Sequence, residues 1–172
     1  METIVIDEPV EEMQGSSDQE DECERLIFNR RPSYAPPSCV RIATAFQDLM
    51  ARGEAGILTA VRMLDCLAPR AATLDEFVFF AIRYGMARQP AQGMLFARRA
   101  ESLALTTRDW IEVAEAYSWQ GGDPKAEGRF LFSVARALMA VESGRGWDRV
   151  VHYLISRDFV SMAERFVQPK RG

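Results

Sequence analysis

The sequence predicts an all-α fold, built of short antiparallel helix pairs stacked as a brief solenoid behind a disordered acidic N-terminal tail. Three observations lead there. From Val40 onward, apolar residues recur at helical spacing. No stretch of useful length alternates with period two, so no sheet is expected. A pattern of large and small residues returns around Phe77, Trp110 and Trp147, anchors 33 and 37 positions apart.

Residues 1–37 read as the tail. Residues 1–24 hold ten acids and no base, and Gly15-Ser16-Ser17 breaks any local order. One-signed charge with few apolar residues leaves too little to bury. The whole chain carries −4, so removing the tail's −10 leaves about +6 on the rest. Pro32, Pro36 and Pro37 mark the boundary, and residues 38–172 form the helical-repeat domain. The 172-residue chain is 48% hydrophobic, enough for that domain to bury its own core.

Within the domain, Ile42, Ala45, Phe46, Leu49 and Met50 line one helical face, and Gly53 interrupts it. Ile57, Ala60, Val61, Leu64 and Leu67 line the next, closed by Pro69. Thr73-Leu74-Asp75-Glu76 is a capping box and starts a new helix, and Thr106 to Asp109 is a weaker version before Trp110. Gly121-Gly122-Asp123-Pro124 reads as a tight turn, with Pro placed for a first helical turn. Gly144 and Gly146 bracket a further break. Seven or eight helices follow from these signals.

The repeat aligns further. Three positions after each anchor stand Phe80, Val113 and Val150, and next Ala81, Ala114 and Val151. Seven positions after it stand Tyr84, Tyr117 and Leu154, and sixteen after it Gly93, Ala126 and Ala163. The order Trp110, Val113, Ala114, Tyr117, Ala126, Phe130, Ser133 resembles the tetratricopeptide repeat, over about residues 75–168. The unit from Trp110 to Ser133 matches best. Ala97 stands where the 77 unit should carry an aromatic residue, and Pro169 cuts the 147 unit short. Small residues let paired helices approach, large ones fill the grooves between pairs, and no pair buries its face alone. The stretch from Arg88-Gln89-Pro90 through Trp110 to Gln120-Gly121-Gly122 is also similar to a bacterial family with members near type VI secretion genes.

Several chemistries find no support. His152 is the single histidine, and no nucleophile motif points toward it, so no catalytic residue is assigned. Cys23, Cys39 and Cys66 contain no Cys-x-x-Cys clip, so neither a disulfide framework nor a metal site is expected, and Cys66 reads as an inert thiol on an apolar helix face. No phosphate loop or other cofactor motif is present. No apolar run approaches the roughly 18 residues of a membrane span. The acidic N-terminus lacks the features of a secretory signal, which makes the cytoplasm the expected location.

The resemblance implies a partner protein or peptide bound in a concave groove lined by first-helix residues. By position these are Asp75, Val78, Ile82 and Met86; Arg108, Ile111, Glu115 and Trp119; and Arg145, Asp148 and His152. Trp119 stands at a helix end, away from the packing positions, as a binding hot spot would. Val78 and Ile111 occupy the Lys positions of the family's carboxylate clamp, so capture of a C-terminal carboxylate is not implied. The expected function is that of an adaptor or chaperone-like accessory protein, a bacterial secretion-system accessory in its most concrete form, and not an enzyme. The alternative is a nucleic-acid-associated regulator using Arg98, Arg99, Arg129, Arg136, Arg145 and Arg149, against which stands the overall charge of −4.

Overall fold

The computed structural model describes residues 39–121, 124–141 and 144–157. The tail expected over 1–37 and the repeat position Ala163 lie outside them. Seven α-helices are described: α1 Cys39–Met50, α2 Glu54–Leu67, α3 Leu74–Met86, α4 Pro90–Leu103, α5 Thr107–Ser118, α6 Pro124–Met139 and α7 Gly144–Ser156. A short 3-10 turn, Ala68–Arg70, follows α2. No strand occurs among the described residues, and none of their helices is long and apolar enough to cross a membrane.

The helix starts follow a local logic that alternates along the chain. Helices α3 and α5 both open on full capping boxes. Thr73 accepts from the Glu76 amide while Glu76 accepts from Thr73, and Thr106 and Asp109 do the same. Helices α4 and α6 instead open on Pro90 and Pro124, whose fixed φ suits a first turn and whose missing N–H costs nothing there. Gly53, at φ 74°, makes the turn between α1 and α2.

One expected break is misplaced. Helix α7 begins at Gly144 and runs through Gly146, while the chain leaves α6 after Met139. Two glycines cost little in a first turn, and the burial of Val150 and Leu154 outweighs that weak local preference. The Thr107 hydroxyl donates to the Ala140 carbonyl at 2.8 Å, satisfying an oxygen left open where α6 ends.

The most extensive packing joins α3 to α4 and α5 to α6, the two pairs linked by short turns. The pairs then stack: α3 packs on α5, α4 on α5, and α7 on both α5 and α6, while α1 and α2 pack together and reach α3. One continuous core runs from Ile42 in α1 to Leu154 in α7. The equivalent positions Phe80, Val113 and Val150 are buried, as are Tyr84, Tyr117 and Leu154, and the small residues Ala81, Ala114, Gly93 and Ala126. The anchors differ. Trp110 is buried, Phe77 half-buried, and Trp147 is 42% exposed.

Two tyrosines link successive pairs in the same way. The Tyr84 hydroxyl of α3 donates to Asp65 of α2 at 2.7 Å, and the Tyr117 hydroxyl of α5 donates to Glu101 of α4 at 2.5 Å. Each joins the first helix of one pair to the second helix of the pair before. Cys66 departs from expectation: it is partly buried and disulfide-bonded, whereas Cys39 is a free thiol. Pairing depends on how closely two Cα atoms approach in the fold, which spacing along the sequence does not report.

Candidate functional site

The site most distinct from the core lies where α5 ends. Trp119 is the residue after α5, and its backbone lies against Gly85 of α3: a Cβ there would stand 2.5 Å from the Trp119 carbonyl oxygen. The indole is held from the other side by its Nε1, which donates to Glu115 one turn earlier at 2.8 Å. Trp119 is still 37% exposed.

Glu115 gathers more than the indole. The Tyr153 hydroxyl of α7 donates to it at 3.2 Å, and Arg157 forms an ion pair with it. The Arg157 guanidinium lies 5.7 Å from the centroid of the Trp119 ring, a cation–π arrangement. Burial pushes the Tyr153 phenol above its usual pKa range. Glu115 therefore ties α5 to α7 and fixes the Trp119 indole in one orientation.

Beneath Trp119, Gln120 is fully buried. Its side-chain amide donates to the Ala81 carbonyl at 2.9 Å and the Ala116 carbonyl at 2.8 Å, locking α5 to α3. Its Oε1 is buried without a hydrogen-bond partner and lies over Gly93. A cleft of about 520 Å³ opens beside these residues, lined among others by Tyr117, Trp119, Gln120, Phe130 and Arg157. Its apolar floor and few polar groups suit the side chain of a bound peptide.

Other residues expected in the groove fall into two groups. Ile82, Met86 and Ile111 are half-buried and packed against the core, so they offer edges to a ligand. Arg108, Arg145, Asp148 and His152 are exposed, and Arg108 pairs with Glu112 at 2.8 Å. No described hydrogen bond, ion pair or ring contact joins Arg108, Arg145 or His152 to the Trp119 cluster. Val78 is buried and lines no groove, because α3 is packed by α1, α2, α4 and α5 together. Tyr153, Arg157 and Gln120 were not legible as site residues. Only the position of Gln120 next to Trp119 pointed to it.

A second surface lies across α4, α5 and α6. Arg98 of α4 and Arg129 and Arg136 of α6 surround Trp110 and Phe132 in a shallow depression of about 360 Å³. Arg136 lies 5.0 Å from the Trp110 ring and Arg129 5.9 Å from the Phe132 ring, and these two rings meet edge to face at 6.1 Å. Glu101 is the carboxylate among them, paired with Arg129 at 2.9 Å and already accepting from Tyr117. Burial, and then Glu101 beside it, push the Tyr117 phenol above its ordinary range. Of the expected arginine stripe, Arg99 of α4 does not line this depression, and Arg145 and Arg149 lie on α7, outside it. No protein-family model, curated protein or solved structure matches the chain.

Proposed function

We propose that this protein is a binding scaffold of tetratricopeptide type, an adaptor or chaperone-like accessory that holds a segment of another protein across the faces of α3, α5 and α7. The stacked helix pairs, the buried small residues at matching positions and the repeated tyrosine–carboxylate link support the solenoid reading. A bacterial secretion-system accessory is its most concrete form and rests only on the resemblance over Arg88 to Gly122.

One observation carries the binding part. Trp119 is partly exposed at the rim of a cleft, yet its indole is fixed by Glu115 and stacked by Arg157. A large aromatic side chain already held in place loses little conformational entropy when it binds, which is the character of a hot spot. The ordinary role of a tryptophan in a packed helical protein is to fill the core, as Trp110 does.

The test compares wild type with Trp119→Ala, matched for helix content by circular dichroism, in capture from the native host's lysate followed by titration with the recovered protein. The expected result is a partner whose affinity falls by at least about thirtyfold in the variant. Equal affinity for both chains would remove Trp119 from the binding face and the groove reading with it.

A further inference from the structure

We propose that the arginine–aromatic face formed by Arg98, Arg129, Arg136, Trp110 and Phe132 docks the acidic segment 1–24 of this same chain. Three guanidiniums meet there with a single carboxylate among them, Glu101, which Arg129 and Tyr117 already engage. Arg98 is exposed and forms no ion pair among the described residues, and Arg136 lies over the Trp110 ring. A guanidinium laid on an aromatic face keeps its in-plane N–H groups free to meet carboxylates. Among the described residues, Arg98 and Arg136 thus offer guanidiniums that no carboxylate engages.

The chain itself supplies a complementary segment. Residues 1–24 carry ten carboxylates and no base, whereas the remainder carries about +6. Ile4, Val5, Ile6, Val10 and Met13 lie among the acids and suit the exposed edge of Phe132, which is 44% accessible. The depression is shallow and open, so a peptide can lie across it without entering an enclosed cavity. Glu24 lies 15 residues before Cys39, where α1 begins. Tethering then gives the segment a local concentration that no free acidic partner matches at ordinary abundance. A nucleic acid is the less favoured occupant, because the intact chain carries −4 and would repel a polyanion at long range.

The test uses the full-length chain and follows the side-chain N–H signals of Arg98, Arg129 and Arg136 and the indole N–H of Trp110 by NMR. Changing the ten tail acids to their amides is expected to shift these signals. Adding a synthetic peptide of residues 1–24 to that variant should restore the wild-type positions saturably, and raising salt from about 0.05 to about 0.5 M should abolish the restoration. Arg98→Gln with Arg136→Gln should weaken the peptide about tenfold. Arg98→Gln alone, at an exposed unpaired side chain, gives part of that loss without risk to the fold. Identical spectra for the wild-type and neutralised chains overturn the proposal, as does peptide binding indifferent to Arg98→Gln. An oligonucleotide that moves the same signals and binds both chains equally well also overturns it, and assigns the face to nucleic acid.

Discussion

The side-chain amide of Gln120 occupies the space that Gly93 leaves by having no side chain. A Cβ at position 93 would lie 2.0 Å from Gln120 Oε1 and 2.5 Å from its Cδ. The amide could not stay, and it holds the Ala81 and Ala116 carbonyls. Gly93→Ala is therefore expected to cost about 2–3 kcal/mol, despite the better helix propensity of alanine, because a buried amide loses its partners and the site is overpacked. Gln120→Ala alone should also destabilise, through the cavity it leaves. The double variant should cost clearly less than the sum of the two. Urea denaturation of all four chains measures the coupling, and strict additivity would show that the two residues do not share one space.

The tyrosine links between pairs give an alkaline signature. Burial, and after it the carboxylate each phenol bonds, push Tyr84 and Tyr117 upward, and burial pushes Tyr153 upward. A group whose folded pKa is raised contributes stability that is complete below its unfolded value and lost as pH rises through the folded one. These phenols should stay protonated in the folded chain at about pH 11, where an exposed tyrosine is mostly ionised. Stability should fall steadily from about pH 10 upward. Absorbance of tyrosinate near unfolding should rise together with loss of helical circular dichroism. Tyr117→Phe should cost about 1.5–3 kcal/mol, the range for a hydrogen bond to a charged group.

The features legible in the sequence are those set by near neighbours. Thr73 with Glu76, Thr106 with Asp109, and Pro124 place helix starts through contacts within one turn, and the structure has each start there. Burial at Ala81, Ala114, Tyr84 and Tyr117 follows helical period and residue size. What stayed hidden depends on residues far apart in the chain. Gln120 reads as a polar turn residue until α4 brings Gly93 beneath it. Tyr153 and Arg157 become site residues only when α7 packs along α5 and both reach Glu115. Gly144 and Gly146 read as a break, since the burial that keeps α7 helical lies further along it, at Val150 and Leu154.

The two capping boxes predict the acid limb. Backbone N–H bonds from Ala72 and Thr73 hold the Glu76 carboxyl below its usual range. For Asp109 burial acts upward, and the amides of Thr106 and Leu105 outweigh it, so its net shift is also downward. A depressed folded pKa contributes stability that is present above the unfolded value and lost as pH falls through the folded one. The loss should therefore begin near pH 4.5 for Glu76 and near pH 3.8 for Asp109, their unshifted values, and continue below. Thr73→Ala and Thr106→Ala should each cost about 1 kcal/mol at neutral pH. Glu76→Gln should flatten the acid limb. A variant whose stability below pH 4 falls as steeply as that of wild type would show that the cap carboxylate does not drive this loss.

Glu115 and Trp119 were expected to serve a partner together, and their geometry now separates their roles. Glu115 is engaged within the protein by the Trp119 indole, the Tyr153 hydroxyl and Arg157. Glu115→Ala would leave the hydroxyl of half-buried Tyr153 without this acceptor and free Arg157, at a cost of about 2–3 kcal/mol. The loss should be concentrated in α7, whose described contacts run to α5 and α6. Hydrogen exchange should show the amides of Val150 to Leu154 opening well before those of α3 and α4. Trp119→Ala removes a partly exposed ring and should cost less stability while weakening partner binding by at least about thirtyfold. Glu115→Gln keeps an acceptor for the indole but loses the charge that Arg157 meets, so it should fall between wild type and Glu115→Ala in exchange rate and bind the partner nearly as wild type does. If α7 in Glu115→Ala exchanges at the wild-type rate, the carboxylate is not what fastens α7 to α5, and Trp119 is positioned by its contact with Gly85 alone.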